Sequence, residues 1–576
     1  MTPYKQYRWI MSEPDTEKVQ TLMQQIKVSE PIARALVNRG ITNYDEAKNF
    51  FRPSIEHLHS PFLMNGMKEA AERLSKAIDG CEKILIYGDY DVDGTTATSL
   101  LLLFLKKLGA EVEFYVNDRK TEGYGVARTG INYAISQNVK VIVTVDCGIT
   151  SIEPINYCRQ NGIDVIICDH HEAKAERPDA LAILDAKQDD CTYPFKELSG
   201  CGVAFKLACA LCAVRGIDRE LAFEFLDFVA LAVAADIVPI VGENRVLMSE
   251  GIKRIQLAKR PGLKALAEIS RLNVEQLSSS SIVFELSPRI NAAGRLDHAR
   301  EAIKLLTAQD ENEAKKAAAC LRDLNETRRE INDDVYEEAE KDAKKMLAQY
   351  ASSIVLYKPD WHLGVIGIVA SKIVERFYLP TIILTENEGI LKGSGRSVVG
   401  FNLFNAISNC QSHLIQFGGH EMAAGLSMHI NQLDDFRRAF DNYCAENLAF
   451  ELRTPTIQID SELKLEQITS NFYNVLKQFE PCGPGNMHPL FLTRNLTLAY
   501  PPKLLEDKRL KIDKHLKFAV RDKQRRIFDV IGFGMAHYFE ALKEPERSVS
   551  IIYSIDEREW NGITTLQLRL RDLKVE

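Results

Sequence analysis

Three short apolar runs, at residues 83–87, 141–145 and 163–168, each end in acidic residues, and this repetition constrains the fold more than any other feature of the chain. Runs of that length without polar alternation predict strands buried on both faces, as in parallel sheets covered by helices on each side. The residues that follow are Gly88-Asp89-Tyr90-Asp91-Val92-Asp93-Gly94, then Asp146, then Asp169-His170-His171. In an open parallel sheet, ligands collect beyond the carboxyl ends of the strands, so the three clusters should face one crevice. Carboxylates gathered there repel one another, and a buried charge without a partner costs roughly several kcal/mol. A pair of divalent cations is the natural partner.

The spacing suggests how cations would be held. Asp91 and Asp93 alternate in a loop and can diverge to different ions or converge on two, with Gly94 allowing a tight turn into a helix that Thr95 and Thr96 would cap. Asp146 is placed to bridge. His170 adds an imidazole, which tips an oxygen-rich site from magnesium toward manganese while still admitting magnesium. Asp236, near the end of an apolar helical stretch at 226–237 and just before Pro239, completes a second ligand set. It could also be an ordinary helix-end residue. Two ions about 3.5–4 Å apart would activate a water and stabilise charge on a phosphoryl group, the general solution for phosphodiester cleavage. An Asp-x-Asp alone also occurs in calcium loops, and His-His pairs are often ordinary residues; three clusters at successive strand ends favour chemistry. Residues 88–94 lack the glycine pattern and the lysine of a phosphate-cradling loop.

A chain of 576 residues should divide into three or four domains. Residues 1–80 read as a helical segment, with a helix start at Ser29-Glu30-Pro31 and a stop at Asn38-Arg39-Gly40. Residues 81–295 alternate strands and helices as a doubly wound parallel-sheet domain, and 296–349 read as one or two long exposed connecting helices. Residues 350–450, with strands expected at 353–357 and 381–384, suggest a smaller α/β domain. Residues 455–576 carry short β runs at 517–520, 527–531, 550–555 and 564–570 without helices, which suggests a small β-barrel or sandwich. The twelve cysteines have no framework spacing, and Cys209 with Cys212, the lone CxxC, fits helix packing. With no leader-like start and no apolar run of about 20 residues, the expectation is a cytoplasmic protein without a membrane partner. The net charge of −8 excludes little, because phosphate binding depends on local charge.

The outer domains carry weaker signals. Gly393-Ser394-Gly395-Arg396-Ser397 combines glycines, hydroxyls and a guanidinium suited to gripping a phosphate, and Gly418-Gly419-His420 offers another close backbone approach; both also read as plain turns. Near the C-terminus Lys508, Arg509, Lys511, Lys514, Lys517, Arg521, Lys523, Arg525 and Arg526 surround Phe518 and Phe528. That composition suits an oligonucleotide-binding barrel, or else a solvated hairpin face.

Residues 88–94, Asp146 and Asp169-His170-His171 resemble the motifs of the DHH phosphoesterases. Residues 287–295, 361–367, 393–397, 418–420 and 481–486 narrow the resemblance to the RecJ exonuclease family, over nearly the whole chain. The resemblance implies a DHH domain, a DHHA1 domain and an OB-like barrel. It also implies 5′-to-3′ degradation of single-stranded DNA to mononucleotides in DNA repair and recombination. It places metal ligands at Asp91, Asp93, Asp146, His170 and Asp236, with Asp89 either a ligand or just outside the ligand shell. His171 would lie close to the scissile phosphate, and Asp169 would orient a histidine. Ser394 and Arg396, with Arg119, would hold the 5′-terminal phosphate, and His420 would be a further substrate-binding residue; Asn291 and Arg289 would line the cleft, unless Arg289 braces a domain interface. A ring of three domains would admit a single strand and exclude a duplex. A monomer, a single-strand-binding protein and a RecQ-type helicase as partners follow on the same grounds. The chain departs from the family at Asp185-Ala186, where Asn-Pro is common, and at Cys482, where Phe is usual, and it is expected to lack a further C-terminal domain of some members. Rival readings are a DHH phosphodiesterase for short oligonucleotides, cyclic dinucleotides or pyrophosphate, and a non-catalytic single-strand-binding replication factor.

Overall fold

The computed structural model describes residues 7–119, 121–173, 176–296, 298–349, 352–507, 512–544, 548–560 and 562–575. The three apolar runs form strands Ile84–Gly88, Val141–Val145 and Asp164–Cys168. They lie in a five-stranded parallel sheet ordered Val112–Val116, Ile84–Gly88, Val141–Val145, Asp164–Cys168, Ala182–Leu184. Alternating side chains feed two cores: Ile84, Ile86 and Val143 one face, Leu85, Tyr87 and Ile142 the other. The strand order reverses between Ile84–Gly88 and Val141–Val145, which is where a doubly wound sheet leaves a crevice for ligand. Residues 89–93 and Asp146 leave the sheet on the two sides of that crevice.

The helix after the first strand, Val92–Lys107, differs from expectation at its start. Its cap is Asp91, whose carboxylate accepts from the Gly94 amide at 3.1 Å. Thr95 and Thr96 instead return their hydroxyls to the carbonyls of Asp91 and Val92 at 2.6 and 2.7 Å, because the helix is buried on all sides and its polar atoms must bond internally. Gly94 serves a close approach rather than a turn: a Cβ there would meet the Asp89 carbonyl oxygen at 2.4 Å.

A single helix of 36 residues, Glu311–Met346, about 54 Å long, joins the first domain to the second. Asp310 caps it, with Glu311 and Glu313 in its first turn and Lys344 and Lys345 in its last, all favourable to its dipole. The expected exposed connector buries one stripe. Ala314, Ala318 and Leu321 pack in the first core, while Val335, Ala339 and Ala343 pack in the second. The second core belongs to a five-stranded sheet ordered Gln416–Gly419, Ala423–Met428, Ile390–Arg396, Thr381–Asn387, Ile354–Tyr357. Residues 393–396 are therefore strand, not turn. Their backbone amides lie in the ladder, and a Cβ at Gly393 would strike the Leu384 side chain at 2.6 Å.

The C-terminal strands form a seven-stranded sheet with Ser461–Glu462 and Leu498–Asp507 at its edges. Strands Phe491–Leu496 and Leu498–Asp507 are consecutive in sequence yet lie near opposite ends of the order, so the sheet curls on itself. A helix, Ser470–Leu476, also packs into this domain, which the sequence pattern had suggested would lack helices.

Residues 1–80 do not form a unit of their own. Strand Arg8–Met11 pairs in parallel with Thr456–Ile459, and Leu22, Ile32, Leu36 and Phe50 share the C-terminal core, whereas helix Met67–Asp79 packs on the first domain. Its short amphipathic helices bury too little alone and borrow a core from each neighbour. Arg245 locks the junction: its buried guanidinium donates to the carbonyls of Phe50, Gln478, Phe479, Glu480 and Pro481 at 2.8–3.1 Å. Replacing Arg245 with Met strands those carbonyls, and a loss of roughly 3–5 kcal/mol is expected in denaturant melts.

Asp185, at the departure from the family pattern, is fully buried, with Oδ1 accepting from the Lys187 amide at 2.7 Å and Oδ2 without a hydrogen-bond partner. Burial pushes its carboxyl up to about 7. The folded state therefore binds more protons than the unfolded one between about pH 4 and 7, and Asp185 costs stability as pH rises through that window. Asp185→Asn should match the parent near pH 4 and be more stable above pH 7 by roughly 2–4 kcal/mol, read from urea midpoints across pH.

Candidate metal centre and phosphate pocket

The strand-end clusters meet at His170. Its Nε2 lies 3.1 Å from Asp146 Oδ1, 3.4 Å from Asp236 Oδ2 and 3.7 Å from Asp93 Oδ2. Three overlapping groups have ligand atoms within 4.8 Å of one another: Asp93, His170 and Asp236; Asp89, Asp91 and Asp146; and Asp146, His170 and His171. Asp146 and His170 each belong to two of these groups and so link all three.

The backbone is bent to make this possible. Asp146 and Ile237, the residue after Asp236, hold left-handed conformations at φ 59° and 62°. Such strain in residues other than glycine collects at functional sites. Helix Gly200–Arg215 aims its first amides at Asp93, Gly200 N and Cys201 N donating at 2.6 and 2.7 Å. Gly200 is required there, since a Cβ would sit 2.8 Å from that of Asp146.

Charge in the cluster is strongly frustrated. Burial, then repulsion from neighbouring carboxylates, pushes Asp89, Asp146 and Asp236 well above the usual range and Asp93 up to about 7. Burial and the charge of His171 push His170 down to about 3, leaving the neutral imidazole that a metal ligand requires. Asp89 Oδ1 is buried without a hydrogen-bond partner. An oxygen-rich donor set with one neutral imidazole and an orphaned carboxylate oxygen fits hard divalent cations.

Asp169 does different work. Its Oδ2 accepts from the Ile149 amide at 2.9 Å, and its Oδ1 accepts from the His170 and His171 amides and bonds His171 Nδ1 at 2.7 Å. Burial opposes a charge on either partner, yet the pairing prevails, holding Asp169 below the usual range and lifting His171 to about 9. His171 is therefore held in one orientation beside the cluster. Tyr124, which no sequence pattern singled out, places its hydroxyl 3.0 Å from His171 Nδ1.

Beside the carboxylates lies a cluster of guanidiniums. Burial, then repulsion from Arg119, Arg328 and Arg396, pushes Arg295 down to about 10, and burial and Arg119 lower Arg396. Arg119 sits 5.2 Å from the Tyr90 ring centre. Arg396 Nη1 donates to Ser394 Oγ at 3.0 Å and Gly395 O at 2.7 Å. The N-terminus of helix Leu363–Phe377 closes in on this pocket. A Cβ at Gly364 would strike the Arg295 carbonyl oxygen at 2.2 Å, and one at Gly367 would lie 3.0 Å from Ser394 Oγ and 3.1 Å from Arg396 Nη2. Guanidiniums crowded against a helix N-terminus suit a phosphate. A phosphate there would be gripped by side chains rather than strand amides. Arg295, the last residue of the 287–295 motif, and Arg328 were missed because only the fold aims them here.

Other expected residues lie elsewhere. Asn291 Oδ1 accepts from the Val92 amide at 3.1 Å, so it supports the metal loop. Arg289, on the same helix, bonds Glu285 and lines a separate cleft. His420 is exposed in a hairpin turn, its amide bonded to Ala423 O, and among the described residues no hydrogen bond joins it to Ser394 or Arg396. Phe518 and Phe528 are buried core residues, as the alternation Leu516, Phe518, Val520 along one strand face requires. Among the described residues of the C-terminal sheet domain, the exposed aromatics are Tyr500 and Phe533, with Arg569 lying 5.5 Å from the Phe533 ring. Lys508, Arg509 and Lys511 lie outside the described residues.

Three family models match the chain: the DHH family N-terminal domain at residues 83–233, the DHHA1 domain at 344–446 and the RecJ OB domain at 459–572. The chain is 38% identical to the single-stranded-DNA-specific exonuclease RecJ of Bacillus subtilis (strain 168), over 99% of this chain and 71% of that protein. It is 35% identical to that of Dickeya dadantii (strain 3937), over 94% and 95%. The crystal structure of RecJ in complex with Mn2+ from Thermus thermophilus superposes with a TM-score of 0.83 at 29% identity, covering 99% of this chain and 79% of that one. The same protein has also been solved with Mg2+.

If Asp169 orients His171, Asp169→Asn should lower single-strand digestion about 10–100-fold while saturation by Mn2+ shifts less than for Asp236→Asn; equal shifts would make Asp169 a ligand.

Proposed function

The chain belongs to the RecJ family of single-stranded-DNA-specific exonucleases, and we propose that it digests single-stranded DNA from the 5′ end, one 5′-mononucleotide at a time. The observation that carries this reading is the placement of a repulsive carboxylate cluster directly beside a repulsive guanidinium cluster, with Arg295 and Asp91 near enough to influence one another. One set requires cations, the other an anion, and a phosphorylated DNA end with its metals supplies both.

Asp91, Asp93, Asp146, His170 and Asp236 would hold two divalent cations, with Asp146 shared and Asp89 directed at the same space. Manganese is favoured by the imidazole and magnesium is accepted. Bound there, the cations supply Lewis acidity toward a phosphoryl group and a water activated at neutral pH. Arg119, Arg295, Arg328, Arg396 and Ser394 would clasp the terminal phosphate. Fixing that phosphate fixes which diester reaches the carboxylates, and hence the polarity and single-nucleotide step. His171, charged at neutral pH and held by Asp169, would contact a non-bridging oxygen of the diester. Tyr500, Phe533 and Arg569 would stack and track the incoming strand on the C-terminal domain. A passage among three domains would exclude a duplex. The reading also takes the protein as a cytoplasmic monomer working in repair and recombination with a single-strand-binding protein and a RecQ-type helicase. Intact carboxylates weigh against a non-catalytic role, and the C-terminal domain against short oligonucleotides as the main substrate.

The test is manganese-dependent digestion of 5′-labelled and 3′-labelled single strands. Early release of labelled mononucleotide from the 5′ end only, absent with Asp146→Ala, is expected. Arg396→Ala should slow 5′-phosphorylated substrates about tenfold or more, the low end for a charge-assisted contact. Release from the 3′ end first, or equal cutting of blunt duplex, would overturn the polarity or the single-strand passage.

A further inference from the structure

The helix that supports the metal loop with Asn291 presents Arg289 two residues earlier, about 200° around the helix axis. Arg289 belongs to a cleft of about 610 Å³ between helices Pro261–Ile269, Ser287–Leu296 and the first half of the long helix. Its walls carry five cationic side chains, Arg271, Arg289, Lys315, Arg322 and Arg329, against two carboxylates, Glu268 and Glu326. Lys315, Arg322 and Arg329 repeat every seven residues, which sets them along one stripe at steps of about 10.5 Å.

Local pairing accounts for three of the five cations. Arg322 bonds its neighbour Asp323, Lys315 reaches Glu311 only at 3.9 Å, and Arg289 is held by Glu285 at 3.3 Å. Among the described residues, Arg271 and Arg329 form no ion pair within 4.0 Å. Arg289 is 9% exposed and is lowered by burial, with Arg329 adding repulsion. Two further features shape the cleft. Arg271 holds a left-handed conformation at φ 57°, and Glu285 sits in a π-helical turn, Ile282–Leu286, of a kind frequent at functional sites.

We propose that this cleft is a second phosphate-binding site, distinct from the pocket of Arg295 and Arg396, that takes the phosphate of a nucleotide or of a nucleic-acid backbone. Its volume accommodates a mononucleotide, and its stripe matches an extended polyanion. Arg328 approaches the guanidinium cluster near the metal centre while Arg329 faces this cleft, so the two sites adjoin across the long helix. The proposal rests on the exonuclease reading only for the source of the ligand; the cleft's own chemistry stands apart from it.

The experiment uses the full chain carrying Asp146→Ala, which blocks cleavage. Labelled deoxyadenosine monophosphate is tested by equilibrium dialysis, and a fluorescent 30-nucleotide dT strand by anisotropy across a salt series. The groove variant is Arg271→Glu/Arg322→Glu, both exposed positions, with Lys315→Ala/Arg322→Ala as the milder form, and Arg396→Ala reports separately on the terminal-phosphate pocket. Loss of one nucleotide equivalent in the groove variant identifies a mononucleotide site. A roughly tenfold weaker dT complex, with a salt slope shallower by about 0.7 per lost contact, identifies a strand track. Either outcome supports the proposal, whatever Arg396→Ala does. Unchanged binding of both ligands in both groove variants overturns it, and if Arg396→Ala alone then weakens binding, only the terminal-phosphate reading survives.

Discussion

Carboxylates that repel one another in a buried crevice are the constraint around which the rest of this protein is arranged. Asp89, Asp93, Asp146 and Asp236 cannot all ionise where they lie without cations, and burial and proximity raise every one of them. The surrounding structure offsets part of that cost. The amides of Gly200 and Cys201 serve Asp93. It does not offset all of it, and the remaining deficit is what divalent cations held there would relieve.

The same logic with inverted sign organises the second site. Arg119, Arg295, Arg328 and Arg396 come from different segments, and their meeting depends on how two domains dock. The long helix sets that docking by burying one stripe in each core, and Gly364 permits contact by letting the second domain's helix meet the Arg295 carbonyl. On the proposed function, a metal set at the sheet's crevice and an anion pocket across a domain boundary would give a ruler whose length is fixed by packing. The Arg245 clamp adds the third domain, because the loop it grips also bonds Ile240 through Pro484 O at 2.7 Å, four residues from Asp236.

Much of this was legible in the chain. Strand-end acidic clusters predicted the crevice because a buried parallel strand has a period-free apolar signal and a polar end, and both are local. Ser29 and Asn38-Arg39-Gly40 marked a helix correctly for the same reason. The errors share a cause as well. Thr95 and Thr96 look like caps until the helix is seen to be buried; residues 393–396 look like a turn until a neighbouring strand on each side occupies their amides. Phe518 and Phe528 were misread because basic neighbours drew attention from the two-residue alternation that turns them inward.

Sequence alone determined the doubly wound sheet, the residue types able to hold cations and the family resemblance, since each rests on short-range pattern and residue chemistry. Tertiary structure decided which groups face the crevice and which support it from behind. It turned Asn291 to the metal loop and Arg289 to another cleft, gave Asp169 to His171, and brought Arg295 and Arg328 to Arg396. It also divided the first eighty residues between two cores. Those outcomes depend on which face of an element meets which neighbour, a long-range packing result that residue spacing leaves open.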